Sequence, residues 1–482
     1  MRYKLKLFTA YLFLSSLSPV SFASNDLPEI GTVGAGALTI EKEKQYGWAF
    51  NMMANQALPI IRDPVLNHYI TDLGQDIVSH ADSVKLPFKF FLVEDEDINA
   101  AAFLGGNVKI HTGLFLYAAS ESELASVIAH EVAHITQRHL ARMLEQQSLS
   151  NPASMAALAG SILLTLVSPA AGLAALSTTV AVNIQNQINY TRSHEYEADR
   201  IGIQTLANAG FDPYGMANFF GKLAEKYKYT SLPPTMLSTH PLPEARLSEA
   251  RLRASQLKKG NVKNSLEYYL SKARITVRFY RLSAQTLIGK YQSQLQNNKY
   301  QFKEAAQYGL ALAYFKNDEF EKAEKINDQL IKDDPNNLFF IDFAADISLS
   351  TKKTQQAIDS LTAYEKRFPG NEVILLNLVV ALKQDKQYAL ADKKIEYFLR
   401  SHPDHILGHL LAIDLYKRMH EKAKEFAMRA EYLALLGRFK EASEKMSSAL
   451  AYTEKKLDQA RYSAKMAEFR RDDIRLKALQ DE

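Results

Sequence analysis

Apolar and polar positions alternate with a helical period around the segment Val127–His139. Four apolar residues fall near one face of this helix: Leu124, Val127, Ile128 and Ile135. Ser120 and Glu123 have the spacing of a capping box, in which side chains bond to the backbone N–H groups at the start of a helix. The pattern therefore predicts a helix that begins after Ser120 and carries three histidines.

The second half of the chain repeats with a period of 34 residues. Two residue types recur at this spacing: Pro335, Pro369 and Pro403; Ala323, Ala357 and Ala391. Each proline follows two helix-like stretches joined by a short polar turn, a pattern that resembles the tetratricopeptide repeat. We expect three regular units, a degenerate fourth after Pro403 where the register slips, and a charged capping helix. An irregular helical domain with an accidental period is the alternative. Stacked helix pairs form a concave surface that binds protein segments.

The first 23 residues have the pattern of a secretory signal peptide. Three cations open it: Arg2, Lys4 and Lys6. An apolar run (Leu7–Leu17) follows, and Ser21–Ala23 places small residues at a cleavage site. We expect cleavage before Ser24 and export of the mature chain, with an uncleaved N-terminal anchor as the alternative.

The composition of the mature chain excludes some partners and some metal ligands. Without the leader it holds 55 lysines and arginines against 54 acids, so its charge does not favour nucleic acid as a partner. The chain contains no cysteine, which excludes disulfides and thiolate ligands. Any metal must therefore be held by His, Asp and Glu side chains.

The sequence H-E-V-A-H within the predicted helix has the spacing of a metal site. His130 and His134 are four residues apart and project from the same side of a helix, so both imidazoles can bind one zinc ion. Glu131 can then act as general base on a water, as in the H-E-x-x-H pattern of metallopeptidases. A buried helix with two hydrogen-bonded histidines is the alternative. His139 follows His134 by five residues and is expected to point away from this face.

A third ligand is available in Ser193–Gly202, on another predicted helix. Glu195 can complete a set of two histidines and one glutamate, which leaves the fourth position of the zinc for water or substrate. Asp199, four residues later, can accept the second ring N–H of a zinc-bound histidine and fix its tautomer. Charges at this spacing are also typical of a solvated helix face.

These motifs together resemble the M48 zinc metallopeptidases. H-E-V-A-H is followed by E-x-E-A-D, and Ile98–Phe115 resembles the strand and Gly-Gly turn that precede the motif helix in that family. The resemblance implies that His130, His134 and Glu195 bind one zinc per subunit and that Glu131 is the base. It also implies that the loop Ser238–Arg246 covers the active site, with His240 as a regulatory fourth zinc ligand that keeps the enzyme inactive at rest.

The resulting prediction is a mainly α protein: an α+β zincin-like metallopeptidase domain with a small sheet, followed by an α-solenoid of tetratricopeptide repeats. We expect a signal peptide at 1–23, the peptidase domain at 24–274, and linker helices with the repeat domain at 275–482. A substrate peptide is expected to add as a strand near Asn99–Asn107. Arg274 is a candidate for polarising the scissile carbonyl.

The resemblance also implies a role in the cell envelope, in the periplasm of a Gram-negative bacterium. It suggests that the substrates are unfolded or stalled outer-membrane β-barrel proteins, and that the repeats contact these proteins and their assembly machinery. The alternative is a repeat-based assembly chaperone without proteolysis, whose zinc site is structural or latent.

No charged residue occurs between Glu145 and Arg192, and Ala156–Val182 is long enough to span a bilayer. Pro169 and many small residues argue against a span. A single crossing would also put the expected ligands on opposite sides of the membrane. We expect apolar helices beside the active site, with peripheral membrane contact through 153–182; two short crossings or a re-entrant hairpin around Pro169 are the alternatives.

Overall fold

The computed structural model describes residues 38–143, 184–228, 235–257 and 262–481. The predicted signal peptide at 1–23 and the apolar segment 153–182 lie outside these residues, and both stay predictions. Among the residues that the structure describes, no helix has the length and apolar character needed to cross a membrane.

The fold is mainly α-helical with one small sheet, as predicted. The first part contains α1 (Ile40–Ala57), α2 (Pro64–Ser79), β1 (Lys89–Val93), β2 (Ala100–Phe103), β3 (Asn107–His111), α3 (Thr112–Tyr117), α4 (Glu121–Thr136), α5 (Ile184–Asn208), α6 (Gly215–Tyr227), α7 (Thr235–Thr239) and α8 (Glu244–Gln256). The second part contains α9 (Leu266–Arg278), α10 (Ala284–Gln296), α11 (Lys303–Lys316), α12 (Phe320–Asp333), α13 (Leu338–Ser350), α14 (Thr354–Arg367), α15 (Glu372–Gln384), α16 (Tyr388–Ser401), α17 (Ile406–Arg418), α18 (Lys422–Leu435), α19 (Phe439–Ala451) and α20 (Lys456–Asp481).

The sheet has the strand order β1-β3-β2, with β3 parallel to β1 and antiparallel to β2. A 3-10 turn, Leu104–Gly106, joins β2 to β3. Gly106 has φ of 81°, and a Cβ there would lie 1.9 Å from the carbonyl oxygen of Pro87, so this turn requires glycine. The turn leaves β2 at an edge of the described sheet.

Helix α4 begins where the sequence predicts. The hydroxyl of Ser120 accepts a hydrogen bond from the N–H of Glu123 (3.3 Å), while the Glu123 carboxylate accepts one from the N–H of Ala119 (2.7 Å). The helix ends at Thr136, short of His139, because Arg138 adopts the left-handed conformation with φ of 53°. The predicted extension of this helix to His139 is therefore wrong.

Helices α11 to α20 form consecutive antiparallel pairs, as expected of a solenoid. The turns inside four successive pairs each contain a left-handed residue, 34 residues apart: Asp318, Lys352, Lys386 and His420. The three alanines of the repeat are buried in the second helix of their pairs. The turn at His420 shows that the 34-residue register of turns continues past Pro403, where the sequence markers are lost.

The hydrophobic core is continuous between the two parts. A single cluster of buried side chains includes Leu66 of α2, Ile128 of α4, Tyr268 of α9 and Phe340 of α13. At the other end, Leu479 of α20 is buried in one cluster with residues that include Leu38 and Ala141. The predicted domain boundary at 274/275 therefore falls inside a shared core, and the division stays a prediction.

Candidate metal centre

Helix α4 places two imidazoles one turn apart on its buried side. The Nε2 atoms of His130 and His134 lie 3.0 Å from each other, and His130 is almost fully buried. This distance suits two nitrogens that face a common point, which the four-residue spacing on a helix predicts.

Helix α5 brings Glu195 to the same point. Its two carboxylate oxygens lie 3.4 Å from His130 Nε2 and 3.4 Å from His134 Nε2. The helices approach closely because Gly202 of α5 has no side chain, and a Cβ there would lie 3.1 Å from the backbone nitrogen of His130. The structure thus brings Glu195 to two histidines that precede it by 61 and 65 positions in sequence.

His240 lies at the end of α7 and completes the cluster. Its Nδ1 is 3.1 Å from both oxygens of Glu195 and 3.4 Å from His130 Nε2. One donor atom from each of His130, His134, Glu195 and His240 lies within 4.8 Å of all the others. Their roles as ligands stay predictions, but their convergence is a feature of the structure.

Glu131 points towards the same cluster from α4. Its side chain is 1% exposed, and its Oε1 has no hydrogen-bond partner among the described residues. The Nε2 of His240 lies 3.6 Å from this oxygen. A buried carboxylate oxygen without a partner is costly, so this atom is suited to accept a proton from a bound molecule.

Asp199 lies where the sequence predicts, one turn after Glu195. Its Oδ1 is 3.0 Å from Nδ1 of His130, the nitrogen that faces away from the cluster. Burial lowers the pKa of His130, but the hydrogen bonds with Asp199 and Glu195 outweigh burial and raise this pKa to about 10. The carboxylates therefore create a buried position that stabilises positive charge.

Arg246 belongs to the centre and is missed by the sequence motifs. Its Nε and Nη2 donate to the two oxygens of Asp199 (2.7 and 2.8 Å), and its Nη1 lies 2.9 Å from Glu195 Oε2. Nη1 also donates to the carbonyl oxygen of Pro241 (2.7 Å). Burial raises the pKa of Asp199, but the hydrogen bonds and charges of Arg246 and His130 together outweigh burial and lower it. The loop sequence contained this arginine without any signal of its partners, which are about 50 residues away.

His139 lies outside the cluster of four donor residues, but its ring contacts His134, which the sequence did not predict. The left-handed turn at Arg138 reverses the chain and places His139 Nδ1 2.9 Å from His134 Nδ1. On an uninterrupted helix, residues five apart would diverge, and only the break at Arg138 brings the rings together.

Arg274 is not part of this centre, so its candidacy as a carbonyl-polarising residue is wrong. Its guanidinium is 1% exposed and is 2.7 Å from both Asp63 and Asp342. It also donates to the hydroxyl of Tyr308 (2.9 Å). This arginine joins α2 to the solenoid instead.

Residues 64–254 match peptidase family M48. The chain is 40% identical over 471 residues to the beta-barrel assembly-enhancing protease of Escherichia coli (strain K12), which covers 97% of this chain and 96% of that protein. It is 43% identical over 451 residues, 92% of this chain and 93% of the other, to a Vibrio cholerae protein that carries the same name provisionally. The metalloendopeptidase OMA1 of Bos taurus mitochondria is 29% identical over 179 residues, 36% of this chain and 33% of that protein. Among solved structures, MamA is similar over 37% of this chain and 89% of its own, with 18% identity and a TM-score of 0.25.

Proposed function

We propose that this chain, which belongs to peptidase family M48 and is a metalloendopeptidase, is a periplasmic zinc enzyme of Gram-negative bacteria that acts on outer-membrane β-barrel proteins during their quality control and assembly. The observation that carries the catalytic part of this proposal is the convergence of His130, His134 and Glu195 beside the unpartnered carboxylate oxygen of Glu131.

The donor set fits one zinc ion. In a tetrahedral zinc site with metal–nitrogen distances near 2.0–2.1 Å, donor atoms are about 3.3 Å apart. The nitrogens of His130 and His134 and the oxygens of Glu195 are separated by 3.0 to 3.4 Å. Two imidazoles with one carboxylate form a ligand set that is found in catalytic zinc sites.

The charges of the site also suit a divalent cation. Three buried carboxylates, from Glu131, Glu195 and Asp199, are accompanied by the single guanidinium of Arg246. Buried carboxylates are stable only when paired or bound to metal. A divalent cation balances the remaining negative charge, and the proposed zinc fulfils that requirement.

Individual residues of the chain have separate roles in the proposed reaction. When bound, zinc polarises the scissile carbonyl and lowers the pKa of the attacking water. Glu131 accepts the proton of that water and afterwards delivers it to the nitrogen of the leaving amine. Asp199 holds His130 through Nδ1 and keeps its Nε2 directed at the ligand cluster. Arg246 holds the side chains of Glu195 and Asp199 in place.

The substrate is proposed to bind as an added strand along β2. This strand is at the edge of the described sheet and packs against α4, which carries His130 and Glu131. An edge strand presents backbone N–H and C=O groups that pair with an extended peptide whatever its side chains. Selection of the target would then depend on whether the target is unfolded and on its capture by the solenoid.

The assignment to β-barrel assembly comes from the relatives, whose names describe that role and whose similarity extends over both parts of the chain. Export is proposed from the leader sequence, and an N-terminus at Ser24 in protein purified from the periplasm tests it. Division into a peptidase domain at 24–274 and a repeat domain at 275–482 is part of the same proposal.

We further propose that the enzyme rests in an inhibited state. His240 supplies a nitrogen where the fourth ligand of zinc would lie, and Arg246 holds the following residue, Pro241, by its carbonyl. A protein ligand in this position takes the place of the attacking water. Substrate cleavage then requires the loop of His240 to move away.

The substitution Glu131→Gln tests the catalytic proposal. We expect the purified variant to bind one equivalent of zinc but to cleave an unfolded protein at least 10²-fold more slowly, because the ligands remain and the base is lost. Metal analysis and a proteolysis assay measure the two quantities. Glu94→Gln, the same change at an exposed glutamate directly after β1, is the matched control and should retain cleavage. Full activity of Glu131→Gln, or zinc below about a tenth of an equivalent in both proteins, would refute the proposal.

The competing function is that of an assembly chaperone with a structural or latent metal site. A strain that carries only Glu131→Gln distinguishes the two functions. Loss of outer-membrane assembly in that strain supports the peptidase function, whereas normal assembly shows that the role in the cell does not require proteolysis.

A further inference from the structure

The second ring nitrogen of His134 faces another histidine. Its Nδ1 is 2.9 Å from Nδ1 of His139, a residue that is 4% exposed and lies beyond the end of α4. At this distance one of the two nitrogens donates a hydrogen and the other accepts it.

The proton positions in this pair follow from the donor set. If Nε2 of His134 binds the metal, the ring carries its hydrogen on Nδ1, which must donate. Nδ1 of His139 is then the acceptor, and the hydrogen of His139 is on Nε2. That nitrogen is 3.2 Å from Oε2 of Glu197, which can accept it. The direction of every hydrogen bond in the series is thereby determined.

The surroundings hold His139 in this orientation. Its ring stacks on His194 with centroids 4.2 Å apart and planes inclined by 5°. Glu197 also accepts from Nη1 of Arg142 (2.8 Å), which holds the carboxylate in place. The turn before it is anchored because the Nε of Arg138 donates to the buried Glu43 (3.2 Å).

The two histidine ligands thus have different supports. His130 is held at Nδ1 by the carboxylate of Asp199, and His134 at Nδ1 by the neutral ring of His139. Groups that accept the second N–H of a ligating histidine fix its tautomer and strengthen it as a ligand.

We infer that His139 is a positioning residue of the metal centre, which accepts the Nδ1–H of His134 and is itself oriented by Glu197. The inference rests on the proposed zinc site and extends it to residues that touch neither substrate nor metal. His139 therefore affects how tightly the metal is held.

The test compares zinc affinity in full-length proteins that all carry Glu131→Gln, so that self-cleavage does not interfere. Competition with a chelator of known affinity gives the dissociation constant for zinc. His139→Phe keeps a ring against His194 but removes the acceptor, and we expect zinc binding to weaken about 10- to 100-fold. His139→Asn places an amide oxygen near the position of Nδ1 and should restore most of the affinity.

His409→Phe is the matched control. His409 is a buried histidine of the solenoid whose Nε2 contacts the carbonyl of Pro403, and its replacement should leave zinc affinity unchanged. Thermal unfolding of the metal-free and zinc-loaded proteins is measured in parallel. A positioning role reduces the increase in melting temperature that zinc produces, whereas a merely structural role lowers the melting temperature of both forms equally.

Unchanged zinc affinity in His139→Phe would overturn the inference, as would equal weakening in His139→Asn and His139→Phe. If His139→Phe does not fold, Glu197→Leu removes the outer acceptor, and unchanged affinity there overturns the inference too. Failure of the Glu131→Gln parent to bind zinc would instead refute the metal site on which the inference rests.

Discussion

Arg246 connects two acidic side chains of α5 to the loop that carries His240. Its guanidinium is 2% exposed and contacts Asp199, Glu195 and the carbonyl of Pro241. Removing one partner of a buried ion pair leaves the other charge uncompensated, which costs more than the pair contributes. The stability of the metal-free centre therefore depends on this residue.

Replacement of this arginine tests its contribution. Arg246→Ala should lower the free energy of unfolding of the metal-free protein by about 3–5 kcal/mol, because two carboxylates stay buried without their cation. Urea denaturation measures the change. Arg253→Ala, which removes a partly exposed pair with Glu249 on the same helix, should cost less than ~1 kcal/mol. Similar losses in the two variants would contradict the prediction.

A second prediction concerns His240. His240→Ala should raise the basal rate of cleavage of an unfolded protein, and of the enzyme itself, because the fourth position opens to water while His130, His134 and Glu195 remain. Zinc content should not change. Cleavage rate and metal content are measured together, with Thr239→Ala as the control on the same short helix. Reduced cleavage with full zinc would show that His240 takes part in catalysis and does not inhibit it.

At the level of elements, the metal centre depends on how closely α4 and α5 approach. A Cβ at Gly202 would lie 3.1 to 3.2 Å from backbone atoms of Ala129 and His130, so any side chain there would require the two helices to shift. Because α5 carries Glu195 and α4 carries both histidines, any separation of these helices separates the ligands. The helix contact therefore sets the geometry of the site.

Gly202→Val should disturb this contact. Overpacking typically costs about 1–3 kcal/mol, and we expect a lower free energy of unfolding together with weaker zinc binding. Urea denaturation and chelator competition measure the two effects. Gly289→Val in α10 is the matched control, since nothing lies within 4 Å of a Cβ at that position and the change should be nearly neutral. Unchanged zinc affinity in Gly202→Val would show that the helices can move apart without loss of the site.

At the scale of the whole molecule, the two parts are joined by more than a linker. Arg274 forms buried ion pairs with Asp63 at the start of α2 and with Asp342 of α13. The last helix, α20, returns to α1, where Arg475 lies 4.5 Å from the ring centroid of Trp48. These contacts predict that the molecule unfolds as one cooperative unit.

Metal removal tests this cooperativity. A ligand that binds only the folded state stabilises it by about 4 kcal/mol when present at a thousand times its dissociation constant. Zinc should therefore raise the melting temperature of the solenoid as well as that of the metal centre. Trp48 is the only tryptophan and packs against Phe439 of α19. Its fluorescence therefore reports the contact between α1 and the end of the solenoid, while circular dichroism reports the total helix content. A zinc-independent transition of Trp48 would show that the parts unfold separately.

Local periodicity was sufficient to predict much of this protein from its sequence. The four-residue spacing of His130 and His134 requires only that the segment be helical, and the Ser120 cap marks where that helix begins. The 34-residue period likewise indicates a repeating pair of helices, which forms from residues that are close in sequence. Features of this kind depend on interactions between residues that are close in sequence. They can therefore be predicted without a structure.

The contacts of the metal centre beyond these motifs depend on packing between distant segments. Arg246 reaches Asp199 and Glu195 only because α8 packs against α5, and one left-handed residue, Arg138, turns His139 back onto His134. Arg274 was equally plausible as a catalytic group until its burial with Asp63 and Asp342 was known. The sequence determines the chemistry of each side chain. The partners of a side chain depend on where helices end and how they pack against one another, and this packing is determined by the core as a whole.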